Sequence, residues 1–304
     1  MERYRSFPAY VCESFGCKLY KLALDGGFTC PNRDGTCGTR GCIFCSGGSG
    51  DFSIPLGKDP DAAYEAAKAV VADKASSGKY IAYFQSYTGT YAPVSRLREL
   101  YTHAAGREDI AVLDIATRPD CLGDDVLTLL KELNEVKPVW VELGLQTIHE
   151  RTAEYIRRGY ETAVYDAAVS RLREAGIPVI THMILGLPGE SEEMMVKTAE
   201  HIGAVGSDGV KLQLLHVLRG TDLAADYEAG LFQCLTLEEY IHALEQCLLH
   251  LPASTVIHRL TGDGAKRDLI APLWSADKKR VLNAVHRALE RDDIMQGALY
   301  GKEE

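Results

Sequence analysis

A chain of 304 residues that is 46% hydrophobic and 25% charged carries enough apolar material for one large core. Its formal net charge of −10 argues against broad nonspecific nucleic-acid binding, which needs many Lys/Arg–phosphate contacts, but leaves room for a local basic strip. No run approaches the ~18 apolar residues of a membrane span, and the opening MERYRSFPAY has no apolar signal core, so the expectation is a cytoplasmic protein without a membrane partner. In chain order, Lys18–Ala23 reads as the first strand. A glycine-rich loop follows, CPNRDGTCGTRGCIFC, holding Cys30, Cys37, Cys42 and Cys45. Tyr80–Phe84 (YIAYF) reads as a buried strand, and Pro93–Ala105 as an amphipathic helix with proline in its first turn. Ile110–Thr117, Val139–Leu145, Val179–Leu185 and Val210–His216 are further apolar strand runs. Asp124–Glu135, Ala163–Ala175 and Ser191–Val205 are the helices between them. The tail offers a helix at Leu237–Leu249, a short strand at Thr255–Leu260 and a basic amphipathic helix at Ala276–Glu290.

Apolar strands alternating with helices predict an α/β fold with a parallel sheet and helices outside it. Such a sheet curls into a full or partial barrel, with its active site at the C-terminal strand ends. The cysteine loop directly follows the first strand, so it lies on that face. The expected organisation is a core over residues 1–220 and a C-terminal α/β cap over 221–304, packed as one unit.

The cysteine intervals are Cys30-x6-Cys37-x4-Cys42-x2-Cys45. A C-x2-C pair lets two thiolates grip one metal centre, and a third thiolate completes three corners of a cubane with one iron left open for an external ligand. Structural zinc takes two short pairs, and the first interval here is wide for that, but spacing alone keeps a zinc-binding adaptor open. A reducing compartment disfavours disulfides.

These features resemble the radical S-adenosylmethionine (SAM) superfamily: three cysteines after the first strand of a partial (β/α)6 TIM-like barrel, with an aromatic residue, here Phe44, before the last cysteine. The long gap Cys30-x11-Cys42-x2-Cys45 is similar to the branch near the Elongator catalytic subunit. The resemblance implies a [4Fe–4S] cluster on Cys30, Cys42 and Cys45, with Cys37 as the alternative first ligand. It implies S-adenosyl-L-methionine as the second cofactor, cleaved reductively to a 5′-deoxyadenosyl radical that abstracts hydrogen from an inert C–H. Gln146 and Arg158 resemble a pair that reaches the methionine part and ribose of SAM. Gln85, Ser86 and Thr88 end the second predicted strand, where the family binds the SAM amino group. His182 stands where a relative has Asp, and Gly186 and Gly189 allow close backbone approach beside the adenine.

YFQSYTGTYAP, IATRPDCL and RLTGDGAKRDLIAPLWSADKK look like the small bacterial YtqA/YhcC-type group. That group implies tRNA as substrate, with a carboxymethylaminomethyl side chain on the wobble uridine converted to aminomethyl, and an unidentified electron donor. A peptide or small metabolite is the alternative substrate. Tyr87, Tyr91, Arg118 and Trp274 are candidates to stack on a base or hold its phosphate.

Overall fold

The computed structural model describes residues 2–47, 52–75, 77–262, 264 and 266–302. Strands β1 (Tyr20–Asp25), β2 (Ile54–Pro55), β3 (Tyr80–Phe84), β4 (Ile110–Thr117), β5 (Val139–Gln146), β6 (Val179–Leu185), β7 (Gly209–Leu214), β8 (Val217–Leu218), β9 (Val256–Arg259) and β10 (Leu269–Ala271) form two sheets. The large one runs β2-β1-β3-β4-β5-β6-β7-β9 and is parallel throughout, while β8 and β10 pair antiparallel beside it. The helices are α1 (Phe7–Phe15), α2 (Pro60–Val71), α3 (Val94–Gly106), α4 (Asp124–Val136), α5 (Glu150–Tyr155), α6 (Thr162–Glu174), α7 (Glu192–Ala204), α8 (Asp222–Glu228), α9 (Leu237–His250) and α10 (Lys278–Arg291). Local chemistry sets several of their starts. Ser191 accepts from Met194 N at α7, and Thr236 and Glu239 form a reciprocal capping box at α9.

The sheet is curled. In a flat sheet with strands ~4.8 Å apart, β3 and β7 would stand about 19 Å from each other. Yet the Lys211 ammonium on β7 donates to the Tyr83 hydroxyl on β3 at 2.8 Å. Lys21 on β1 likewise reaches Glu142 on β5 at 2.8 Å. Only a barrel-like wall brings these side chains together, and the terminal strands β2 and β9 leave it open, as a partial barrel requires.

Alternate residues of each strand face opposite sides. One set, including Leu22, Phe84, Leu113, Val141, Met183 and Leu212, packs in the main apolar core with helix residues such as Leu97, Leu129, Leu172 and Ile202. The other set lines the interior in layers. The lowest is apolar: Leu19, Ile81, Val112, Trp140 and Ile180, closed from below by Val11, Phe7 and Tyr10 of α1. One step up each strand lie Lys21, Tyr83, Asp114, Glu142, His182 and Lys211, a charged layer. One step further lie Ala23, Gln85, Ala116, Gly144 and Gln213, on the walls of the cavities described next.

Candidate active site

The loop after β1 is fastened to the barrel by its backbone and by two side chains. Ile43 N donates to Ile156 O at 3.2 Å, and Ile43 O accepts from Leu223 N at 2.9 Å. The buried Asn32 amide donates to Arg157 O at 2.6 Å and stands 3.6 Å from Cys42 Sγ. Arg33 donates to Cys45 O at 2.7 Å. Gly159, at φ +82°, is needed where it sits: a Cβ there would lie 3.0 Å from Asn32 Oδ1. Asn32, Arg33 and Gly159 are site-building residues to which the sequence reading gave no role at the site, although Asn32 and Arg33 directly follow Cys30-Pro31.

Cys30, Cys42 and Cys45 line one cavity of about 280 Å³ together with Gln85, Thr88, Gln146, Arg158, Tyr160 and His182. Cys37 is exposed and lines a different hollow with Thr36, Tyr91, Asp120 and Cys121. Burial, then the neighbouring Cys45, pushes the Cys42 thiol up to about 11. The three thiols face a shared space without gathering at one point: among the described residues, no three His, Cys, Asp or Glu side chains are placed to hold a single ion. A four-iron cluster sets its thiolates on separate corners, which is the arrangement such a cavity offers.

Gln146 ends β5 in the left-handed region at φ +64°, with a register shift against β6 between Gly144 and Gln146. Its Oε1 is buried on the cavity wall without a hydrogen-bond partner, an acceptor open to a ligand's donor. Tyr87 at φ +56° and Arg157 at φ +57° share this backbone state, so three of the four described non-glycine residues with positive φ cluster here. Such strain concentrates where a site must be held in one geometry.

Arg158 is turned into the scaffold. Its guanidinium donates to Thr147 O at 2.6 Å, Tyr160 O at 2.8 Å and Leu145 O at 3.2 Å, and pairs with Glu150 at 3.2 Å. It thus fixes the end of β5 and reaches the cavity only as wall. Gln85 donates to Ser53 Oγ at 3.1 Å, and Thr88 N to Thr29 O at 3.3 Å. Ser86 is buried, and Gly186 and Gly189, at φ +83° and +82°, shape the turn after β6; none of these three is on the cavity wall. The candidate stacking residues also bond within the chain, and Tyr87 and Arg118 lie on the cysteine cavity's wall. Arg118 chelates Asp120 at 2.9 and 2.7 Å, Trp274 donates to Leu235 O at 3.1 Å, and Tyr91 bonds Thr36 at 2.8 Å. The Tyr87 hydroxyl donates to Gly47 O at 2.5 Å.

His182 and Gln85 are shared with a second, larger cavity of about 980 Å³. Its cations are Lys21, Lys211, Arg259, Lys266, Arg267 and Lys278, and among the described residues on its wall none is a carboxylate. Its floor is the charged layer. Glu142, fully buried, accepts from Lys21 at 2.8 Å, Tyr83 at 2.8 Å, Lys211 at 2.5 Å and bonds His182 Nε2 at 2.7 Å. Burial opposes the Glu142 charge, but Lys21 and Lys211 outweigh it and hold the carboxyl well below its usual range. Burial, then Lys211, lowers His182, which is therefore neutral at pH 7.

The match to the radical SAM superfamily spans residues 35–202, more than half the chain, and the superfamily's C-terminal domain matches 207–291. The chain belongs to the radical SAM superfamily. It is an enzyme of a family that works with a [4Fe–4S] cluster and S-adenosylmethionine. The matched segment begins after Cys30, so of the four loop cysteines the family model covers Cys37, Cys42 and Cys45. The chain is 44% identical over 300 residues to the uncharacterized protein YtqA of Bacillus subtilis, covering 98% of this chain and 93% of that one. It is 29% identical over 154 residues to the tRNA uridine(34) acetyltransferase of Methanocaldococcus jannaschii, which is 50% of this chain and 28% of the relative. Archaeal Elp3 from Methanocaldococcus infernus superposes with a TM-score of 0.71 over 91% of this chain and 64% of that one, at 19% identity. This structural likeness confirms the partial-barrel fold.

Proposed function

We propose that this enzyme modifies the wobble-uridine side chain of tRNA, converting carboxymethylaminomethyl to aminomethyl: the methylene of the carboxymethyl arm would be oxidised by two electrons, with SAM as the net oxidant, and water would then release the arm as a two-carbon oxoacid. The observation that carries the reading is the large cationic cavity beside the cofactor cavity. A chain of net charge −10 places six cations around a cavity that shares Gln85 and His182 with the cysteine cavity. A polyanion with a splayed base fits such a space: the rim cations Lys266, Arg267 and Lys278 meet phosphate, and the base enters between them. The similarity to a tRNA uridine(34) acetyltransferase, a protein whose name states a wobble-uridine substrate, supports the same reading.

In this reading Cys30, Cys42 and Cys45 hold the cluster, and Cys37 stays outside. Gln146 offers its open Oε1 to a SAM donor, while Gln85, Thr88 and His182 form the wall between SAM and substrate. Arg158, Asn32 and Gly159 position these groups, and Ser86, Gly186 and Gly189 shape the strand ends. When bound, the cluster and SAM supply one-electron cleavage chemistry and hydrogen-atom abstraction. The chain's own part is to orient the substrate C–H toward the cofactor cavity and keep water out. The C-terminal residues 221–304 act with the core as one unit, since β9 extends the sheet and Arg259, Lys266, Arg267 and Lys278 complete the substrate cavity.

Mass spectrometry of tRNA nucleosides from cells with and without the gene tests this. Loss should accumulate carboxymethylaminomethyluridine and deplete aminomethyl products. An unchanged profile, in cells whose tRNA carries these nucleosides, rejects the tRNA reading.

A further inference from the structure

We propose that His182 is the proton acceptor for the substrate's amine. Its Nδ1 takes the N–H proton that must leave when the C–H bond beside that nitrogen is oxidised. That this amine is the carboxymethylaminomethyl nitrogen rests on the wobble-uridine reading. The place and the acceptor rest on the geometry of the barrel.

Among the described residues, only Gln85 and His182 line both the cysteine cavity and the large cavity. Hydrogen transfer between a cofactor in one space and a substrate in the other needs reacting atoms about 3–3.5 Å apart. The reacting carbon therefore lies at this junction. Gln85 is a neutral amide whose nitrogen donates to Ser53 Oγ at 3.1 Å, and it cannot take up a proton. His182 can. Its Nε2 lies 2.7 Å from Glu142 Oε2. Glu142 is fully buried and is held ionised by Lys21 and Lys211, so it only accepts, and the imidazole proton sits on Nε2. Nδ1 is then a bare acceptor, and the one bond of the ring to a described group is the bond to Glu142. The side chain keeps 20% of its surface exposed inside the barrel, on the two cavities that it lines. Burial, then Lys211, keeps the ring neutral at pH 7 and ready to accept. The carboxylate behind Nε2 fixes the ring and stabilises the imidazolium once it forms.

The proposed reaction calls for such a group. A secondary amine between two methylenes is an ammonium at neutral pH. Oxidising it to the iminium removes one hydrogen atom, one proton and one electron. The C–H bond breaks homolytically, and its hydrogen passes to the 5′-deoxyadenosyl radical. An ammonium beside the new carbon radical holds the unpaired electron in place. Once the N–H proton has passed to Nδ1, the nitrogen lone pair forms the C=N bond and the electron returns to the cluster. SAM is the net oxidant and leaves as methionine and 5′-deoxyadenosine. Water then adds to the C=N carbon and the C–N bond breaks, giving the aminomethyl ammonium and the two-carbon oxoacid with no net proton. Nδ1 returns its proton to solvent.

The test combines reconstituted holoenzyme, SAM, a low-potential reductant and tRNA carrying 5-carboxymethylaminomethyluridine, and reads aminomethyl product per 5′-deoxyadenosine. His182→Gln retains a donor for Glu142 but no base. Its ratio should fall at least about tenfold, since a positioned base contributes about 100-fold or more. In His182→Ala, which serves if the first variant does not fold, the ratio should fall likewise and added imidazole should restore it. A ratio unchanged in both variants overturns the proposal, as does a parallel fall of both products that imidazole does not reverse. A second readout needs no turnover. In histidine-labelled holoenzyme with SAM and an oxidised cluster, 15N NMR follows the Nδ1 signal that is lost on substitution of His182. N-benzylglycine should shift it, whereas benzyloxyacetate, with oxygen in place of the ammonium, should not. An equal response to the two probes, or none to either, overturns the proposal. If the wild type leaves the tRNA unchanged while N-benzylglycine alone shifts Nδ1, the tRNA reading fails and the amine acceptor stands. If the tRNA is converted and the ratio survives in both variants, the acceptor fails and the tRNA reading stands.

Discussion

Glu142→Gln tests whether the barrel interior is held by charge rather than shape. The substitution keeps volume but removes the charge that Lys21 and Lys211 both face, at 2.8 and 2.5 Å. Lys21 retains Asp114 at 2.5 Å, whereas Lys211 retains only neutral partners. Breaking a buried pair from one side costs about 3–5 kcal/mol. For 304 residues, at roughly 2.1 cal/mol/K per residue of unfolding entropy, that lowers Tm by about 5–8 °C. The Glu142 carboxyl is depressed in the folded protein. Its contribution is therefore present above the unfolded carboxylate value and lost as pH falls through the lower folded one. The deficit of the variant should persist from about pH 5 to 7, and shrink in stronger acid and, as the Lys211 ammonium loses its proton, above neutrality. Thermal unfolding of cluster-free protein measures it. The double variant Glu142→Gln/Lys211→Met should be more stable than Glu142→Gln alone, because no ammonium is stranded. A single variant within about 2 °C of wild type, or a double variant with fully additive losses, would refute the reasoning.

Anaerobic reconstitution of Cys30→Ala, Cys42→Ala and Cys45→Ala should each give protein without the broad thiolate–iron absorption near about 400 nm, while Cys37→Ala stays brown; a colourless Cys37→Ala with a brown Cys30→Ala would reverse the assignment. Gly159→Ala places a Cβ 3.0 Å from Asn32 Oδ1 at φ +82°. It should cost about 1–3 kcal/mol in urea unfolding and reduce iron retained per chain, so a variant with wild-type iron and stability counts against that clamp. With Lys266, Arg267 and Lys278 as the phosphate contacts, log K should fall with log salt at a slope of about −2, roughly twentyfold from 50 to 200 mM. A salt-independent affinity would remove the rim from the RNA interface.

The long apolar strands were legible because burial on both faces leaves continuous runs, and β3, β4 and β6 match their predicted bounds. The first strand lies two residues further on than its hydrophobicity suggests, at Tyr20–Asp25 rather than 18–23, since its ends are set by pairing with β3. Helices α1 and α2 fall outside the sequence reading although Ser6 and Asp59-Pro60 carry cap signals. The two-residue strands β2 and β8 exist only through their partners and leave no periodic trace. The charged layer was half visible: Asp114, Glu142 and Lys211 are lone ionisable residues inside apolar strands. Their direction was not. In VITHMIL, Thr181 turns outward to bond Tyr165 at 2.6 Å while His182 turns inward to Glu142. Only the curl of the sheet decides which face meets the other strands. The scaffold bonds of Arg118 and Arg158 were hidden for a similar reason, because their carbonyl and carboxylate partners come from turns whose shape the sequence pattern does not reveal.

The central claim meets its most direct test in a single reaction. Reconstituted enzyme, SAM, a low-potential reductant and tRNA bearing carboxymethylaminomethyluridine at the wobble position are combined anaerobically, and nucleosides and 5′-deoxyadenosine are quantified together. The account predicts that aminomethyluridine appears in step with tRNA-dependent 5′-deoxyadenosine, and that both vanish in Cys42→Ala. Formation of 5′-deoxyadenosine that ignores the tRNA, with the wobble nucleoside unchanged, would contradict it.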